Sequence, residues 1–444
     1  MSNQTASSSY EDIPGPDGLP LVGSVRSFAD DPLAFYEQTA REHGPIARFQ
    51  VGRREFVLLS DPEHVEQVCK RDVYVRGEEF QERFRPILGV GLATSSGESW
   101  RKQHRTVAPA FGPDAIERHS TVVAEVTERY NSQLRDGETI QTFDEMQALT
   151  VEIMAGTLFD TDLSDRSEDI ATALEAVLTH AARKVRRPVP IPDWVPTPGN
   201  RSYEKAIEEI HGVAEEILDE RETDEREGND VVALVQKSEA EFSRDEMRDQ
   251  IVTLLLGGNE STALALAYTL YALASHPEKL ETLQAELDEV LDGRAPTMAD
   301  LSELTYTERV MKEGLRLYPP FHVIFREPSE DDVIDGYLLP EGTTVVLPQW
   351  VIHRDPELFE DPTAFRPERW VDGLEPRLPG LSYFPFGCGL RRCIGDHFAK
   401  MEMQLVFATL LQEWDLDPVT EDLEFSPSVT NRPAGPIEMK LRRR

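Results

Sequence analysis

The chain has 444 residues, with 82 acidic against 46 basic side chains and a formal net charge of −36. Such a balance repels nucleic acid and anionic membrane surfaces, so neither is expected as a partner. Only three cysteines are present, Cys69, Cys388 and Cys393. They are too few for a disulfide framework or a four-thiolate cluster, and the odd count points to a reducing, cytoplasmic setting.

The basic residues are mostly arginine, only nine being lysine. Dense carboxylates keep a protein soluble in high salt, where screening relieves their self-repulsion, so a halophilic source is expected. Glycine and proline are scattered, no repeat is visible, and a single domain is expected over 13–444 after a disordered tail at 1–12. That tail is polar and Ser-rich, without the basic and apolar regions of a signal peptide.

Along the chain, Ile46–Val51 and Glu55–Leu59 read as strands joined at Gly52-Arg53-Arg54. Ser60-Asp61-Pro62-Glu63 reads as a helix start, with a capping side chain, an early proline and an early acid. A helix from Ser99 to about Phe111 is expected to carry Trp100 and His104 on one face. Mostly helical segments follow to about residue 290, with charged 219–230 as a solvated loop between helices. The most apolar run, Ile251–Ala274, contains Gly257-Gly258-Asn259-Glu260-Ser261-Thr262. A charge there disfavours a membrane span, so a buried core helix is expected and no membrane anchor. Tyr337–Leu339 and Thr343–Leu347 read as a second hairpin, and three X-Pro pairs from Asp355 to Pro367 mark loops. Gly395 to about Trp414 is again helical, and the last thirty residues are loop and short strand. The fold class is therefore mainly α with small β-sheets.

The chemistry concentrates in Phe386-Gly387-Cys388-Gly389-Leu390-Arg391-Arg392-Cys393-Ile394-Gly395. Gly389 and Gly395 allow a tight turn and the approach of a flat cofactor. Amide groups at the turn and the following helix start favour a thiolate. Arg391 offers a cation to an acidic cofactor group. From these residues alone three readings stand: a cofactor thiolate, a small buried hydrophobe, or a zinc site using Cys388, Cys393 and His397.

The spacing of Phe386, Gly389, Arg391, Cys393 and Gly395 resembles the haem-binding signature of cytochromes P-450. Other motifs stand in that family's order. Glu313-Gly314-Leu315-Arg316 with Arg369 resembles its structural ionic triad. Trp100 and His104 resemble the helix that meets a haem propionate, with His104 where arginine is common, and Arg326 matches another propionate position. Gly257–Thr262 resembles the oxygen-activating motif, with Glu260 at the acid and Ser261 where threonine is usual, followed by Thr262.

The resemblance implies a single-domain cytochrome P-450 fold, with haem b (iron protoporphyrin IX) between the long helix and the helix after the cysteine loop. Cys393 would be the axial iron ligand, with Phe386, Gly387, Arg391 and Gly395 around it. The activity would be monooxygenation of a lipophilic substrate, a fatty acid, terpenoid or similar, by O2. Electrons would come from a separate donor, expected to be an acidic ferredoxin with its reductase, docking on Arg101, Lys102, Arg105, Arg392 and Lys400. A peroxide-using haem-thiolate oxidase or isomerase, or a non-catalytic haem sensor, are the alternatives.

Overall fold

The computed structural model describes residues 8–18, 22–186, 192–223, 230–238 and 242–444. They fall into two compact units: Met1–Gln81, Arg316–Phe365 and Arg369–Cys393, and Glu82–Leu315, Arg366–Glu368 and Ile394–Arg444.

The first unit is built on a five-stranded sheet. β1 (Ile46–Val51) and β2 (Arg54–Leu59) form the expected antiparallel hairpin, with Ile46 opposite Leu59 and Val51 opposite Arg54. Gly52 makes the turn at φ 64°, a conformation that favours glycine. β3 (Tyr74–Val75) pairs with β5 (Ile324–Pro328), which pairs with β8 (Thr344–Leu347), and β8 runs parallel to β2. Val57, Leu59, Val345 and Leu347 bury against Val65 and Val68 of the helix Pro62–Lys70. Asp61 caps that helix, accepting from the N–H groups of Glu63 (2.7 Å) and His64 (3.4 Å).

The expected hairpin of 337–339 with 343–347 does not form. β7 (Tyr337–Leu339) pairs instead with β6 (Asp332–Ile334), while β8 joins the main sheet. The connection is Asp335-Gly336, at φ 49° and 80°. Two positive φ values in an Asp-Gly pair match the twist of a two-residue hairpin, which Pro340-Glu341-Gly342 does not offer as well. The tail expected to be disordered over 1–12 has regular structure from residue 8 on, residues 1–7 lying outside the described set. Tyr10–Asp12 form a 3-10 turn, Ser8 bridges to Tyr337, and the Arg48 guanidinium lies 4.9 Å over the Tyr10 ring.

The second unit is largely helical. Its longest element is the helix Arg244–Ala274, opened by a reciprocal capping box of Ser243 and Glu246. It is long and apolar enough to cross a bilayer, yet most of it is buried in the protein, as expected of a core helix. Part of the expected charged loop at 219–230 is helical, because the helix Pro198–Thr223 runs through it; residues 224–229 lie outside the described set. Arg244 explains the extension. Its guanidinium bonds Glu215 (2.7 Å), Glu222 (2.6 Å) and Asp219, neutralising the row of carboxylates along that helix.

The helix after the cysteine loop spans Asp396–Leu410, shorter than expected, and Trp414 already opens β9 (Trp414–Pro418). β9 and β4 (Thr139–Gln141) flank β12 (Glu438–Arg443), and β10 (Phe425–Pro427) with β11 (Asn431–Pro433) forms a separate hairpin.

Candidate functional site

Cys393 is exposed, at the end of a loop in the first unit, three residues before the cysteine helix. Its N–H donates to the Phe386 carbonyl at 2.9 Å, which closes the loop on itself. Gly387 and Gly389 turn the chain at φ 73° and 66°. Gly395 does not use glycine's freedom in the same way: its φ is −94°, and a Cβ there would meet the Phe111 ring at an ordinary contact distance of 3.4 Å.

The space at Gly389 is taken by protein. A side chain there would collide with the Cys69 carbonyl. That close approach sets the Cα atoms of Cys69 and Cys388 5.5 Å apart, and their sulfurs are bonded. The disulfide corrects the expectation that an odd, small cysteine count leaves every thiol reduced. It also removes the zinc reading, since the Cys388 sulfur is committed to Cys69. Among the described residues no group of three or more His, Cys, Asp or Glu is arranged to hold a metal ion.

Two further groups fix the loop. The Phe384 N–H donates to Nε2 of the fully buried His353 at 3.1 Å, and the Gln349 side chain donates to the Phe384 carbonyl. An accepting Nε2 requires a neutral ring. Burial, then the charges of Arg316 and Arg354, hold the His353 pKa well below its ordinary value. Arg316 donates to the carbonyls of His353 (2.6 Å) and Pro362 (2.7 Å), and both Arg316 and Arg369 reach Ala364 O, at 3.3 and 3.4 Å. In the second unit, buried Glu313 accepts from the Arg366 N–H at 2.9 Å. Arg316 and Arg369 of the first unit thus hold carbonyls of 353–364, while Glu313 of the second unit holds the Arg366 N–H.

Arg326 and Arg391 are joined by a cation that the sequence reading missed. Arg76 follows β3, whose partner strand β5 carries Arg326. Burial, then Arg76 and Arg391, push the Arg326 pKa down to about 9. Arg391 falls to about 10 through burial and Arg76. Arg76 falls to about 10 through burial, opposed by the charge of Cys393. Burial and the charge of Arg76 thus disfavour the cationic forms of Arg326 and Arg391 beside the Cys393 loop, an environment that an acidic group would relieve. That donor set fits the iron and the two carboxylates of a haem.

In the second unit the Gly257–Thr262 segment is divided among three tasks. Gly258 and Asn259 seat the long helix on the helix Thr142–Met154. A side chain at Gly258 would strike Met154, and the Asn259 amide donates to Gln147 O (2.7 Å) and Thr150 Oγ1 (2.8 Å). Glu260, 2 % exposed, accepts from Thr430 Oγ1 and from Arg432, whose Nε lies 3.0 Å from Oε1 and whose Nη2 bonds Oε2. Ser261 stays partly accessible, donating to the Gly257 carbonyl at 2.9 Å, whereas Thr262 is buried. Thr430 and Arg432 were not anticipated. An acid on an apolar helix demands a partner, but nothing in the sequence says that the partner lies 172 residues downstream. Trp100 and His104 share a helix face as expected, their rings tilted with centroids 4.9 Å apart.

A model of the Cytochrome P450 family matches residues 13–440. The cyclooctat-9-en-7-ol 5-monooxygenase of Streptomyces melanosporofaciens is 34% identical, over 91% of this chain and 89% of its own length. Cyclooctatin synthase of the same organism is 33% identical, over 99% and 97%, and pentalenene oxygenase of Streptomyces avermitilis is 30% identical, over 96% of both. A match of that extent, on a chain that surrounds one exposed cysteine with arginines, is decisive: the protein belongs to the cytochrome P450 family and is a haem-dependent monooxygenase.

Proposed function

We propose that the protein inserts one oxygen atom of O2 into a lipophilic, terpenoid-like substrate, using haem b and electrons from a separate acidic ferredoxin. The observation that carries the haem assignment is the convergence of Arg76, Arg326 and Arg391 on the Cys393 loop. The substrate class is favoured by relatives whose names specify cyclooctat-9-en-7-ol and pentalenene over a fatty acid.

Haem, when bound, supplies an iron at which O2 is activated, and a thiolate ligand favours O–O cleavage. Cys393 Sγ would hold that iron. Arg326, Arg391 and Arg76 would receive its carboxylates, Trp100 and His104 remaining candidates through the family resemblance. Glu260 would handle protons. Ser261 is the better hydroxyl for the same task than Thr262, because it keeps an accessible side while Thr262 is buried.

The absorption spectrum of the reduced, carbon-monoxide-bound protein tests the ligand. The thiolate-type band is expected, and Cys393→His should replace it with the histidine-type band. A wild-type band of the histidine type would overturn the assignment. Cyclic terpene hydrocarbons should shift the iron spin state more than fatty acids of similar size.

For the electron donor, Arg101, Lys102 and Arg105 lie on the helix Gly97–Val107, and Lys400 on the cysteine helix. Arg101 is half exposed and bonded to Glu98 at 2.6 Å; Lys102 stacks on the Phe242 ring at 4.0 Å. Reversing the charges of Arg101 and Lys102 is expected to slow reduction by a ferredoxin while haem content stays the same. Unchanged reduction kinetics would remove this surface as the docking site. The acidic composition further supports a salt-rich cytoplasm as its setting.

A further inference from the structure

The Glu260 carboxylate is almost wholly removed from water, and every hydrogen bond described for it comes from the turn and strand at 430–432. Arg432 itself is only 10 % exposed in its side chain, and it has a second set of acceptors. Its Nη1 lies 3.3 Å from Glu175 Oε1 and 3.2 Å from Thr179 Oγ1, both on the helix Ser167–Arg186. Glu175 is 48 % exposed. One guanidinium therefore stands between a buried acid and an acid open to solvent.

We infer that Arg432 is the positioning residue of the buried acid: it holds Glu260 as an aimed carboxylate, and Glu175 with Thr179 is the alternative seat to which its guanidinium turns when Glu260 exchanges a proton. This rests on the reading of Glu260 as the proton-handling acid.

The chemistry requires both parts. A buried carboxylate without a cation takes up a proton rather than stay charged. A carboxylate held by a two-pronged guanidinium and a hydroxyl has both oxygens engaged, so accepting a proton means giving up a charge-assisted bond. Arginine cannot pass a proton itself, because it does not deprotonate in this range. Burial pulls the Arg432 pKa down, but the hydrogen bond and charge of Glu260, then the charge of Glu175, raise it overall. The group must therefore move rather than titrate, and Glu175 and Thr179 are the acceptors within reach. Among the described residues, Thr430, Glu175 and Thr179 bond this pair, and Tyr268 of the long helix also acts on Arg432 through its charge.

The test uses holoenzyme and two kinds of readout. By infrared difference spectroscopy at neutral pH, Arg432→Gln should show a protonated carboxyl band that the wild type lacks and that Arg432→Gln/Glu260→Gln loses. In turnover, Arg432→Gln should lower product formed per reducing equivalent by about tenfold and enlarge the solvent isotope effect. Arg432→Lys, which keeps the charge but not the fork, should recover part of both. Glu175→Gln should enlarge the isotope effect with no new infrared band, since the guanidinium then has one charged seat. If Arg432→Gln does not fold, Arg432→Lys and Glu175→Gln decide. Wild-type isotope effects in both would overturn the proposal, as would absence of the new band in a folded Arg432→Gln. Glu260→Gln separates the two levels: wild-type coupling in that variant would sink the acid role, while the infrared result would still report on the pairing.

Discussion

Residues 384–393 have almost no regular secondary structure, whereas residues 257–262 lie inside a continuous helix. The cysteine loop is fixed from outside by a covalent bond, a neutral histidine and a glutamine, and from within by two glycines at positive φ. The helical segment needs no help with its backbone. Its difficulty is side-chain polarity, and Asn259 and Glu260 are satisfied by specific partners on the helix Thr142–Met154 and on β11 with its preceding turn. A loop displaying a reactive atom is thus secured by constraining chain entropy, while polar groups in a core helix are secured by completing their hydrogen bonds.

This contrast is open to attack on both sides. The largest effect should come from the loop. Replacing Cys69 and Cys388 by serine should lower the unfolding free energy by about 2–4 kcal/mol, because the bond closes a very long stretch of chain. A urea midpoint unchanged from wild type would show that the remaining anchors suffice. On the helical side, Asn259→Ala removes two buried bonds, although Thr150 Oγ1 and Gln147 O still bond each other, and should cost about 1–3 kcal/mol. A loss under 0.5 kcal/mol, in keeping with about the value of a surface contact, would make the seat on that helix unimportant.

Acidity acts on the first unit. His353 is held well below its ordinary pKa, and burial pushes His322 down to about 4. A base depressed in the folded state binds fewer protons there than when unfolded. Its stabilisation is complete above the unfolded value near 6.5 and is lost as pH falls through the window toward the folded value. Each ring should contribute a slope of up to about 1.4 kcal/mol per pH unit. The buried Glu402 in the second unit runs the other way, since burial raises its pKa and its contribution is lost as pH rises above the unfolded carboxyl value. His322→Gln should flatten the pH dependence of the thermal midpoint between pH 4.5 and 6.5, about one proton's worth. An unaltered slope would place its protonation elsewhere.

The smallest effect belongs to Ser261. Among the described residues its hydroxyl bonds within its own helix, to the Gly257 carbonyl, so Ser261→Ala should change stability by no more than about 0.5 kcal/mol. If product formed per reducing equivalent falls in that variant while the thermal midpoint holds, the hydroxyl acts in the chemistry.

Local signals were legible where the chain decides locally. The first hairpin, the Asp61 cap and the long helix all follow from residues within a few positions of one another. The family motifs drew attention to Cys393, Arg326, Arg391 and the triad positions. Asp335-Gly336 was a readable turn, but the stronger apolar pattern downstream competed with it. The Cys69–Cys388 bond, Arg76 and Arg432 were beyond reach for one reason. Each matters through a partner distant in sequence, and neither periodicity nor propensity encodes which distant residue an acid, a cation or a thiol will meet.

The covalent tie has a consequence for biogenesis. Its two sulfurs are 319 positions apart in the chain, so a ribosome releases the first long before it makes the second. The sheet against which the Cys69 helix packs must likewise wait for β5 and β8, the latter pairing with β2. The largely helical unit, encoded mostly between these halves, can begin folding while the opening segment is still incomplete. Until translation passes residue 388, the nascent chain carries a single early thiol, and oxidative pairing during that interval is the hazard to guard against in any recombinant preparation.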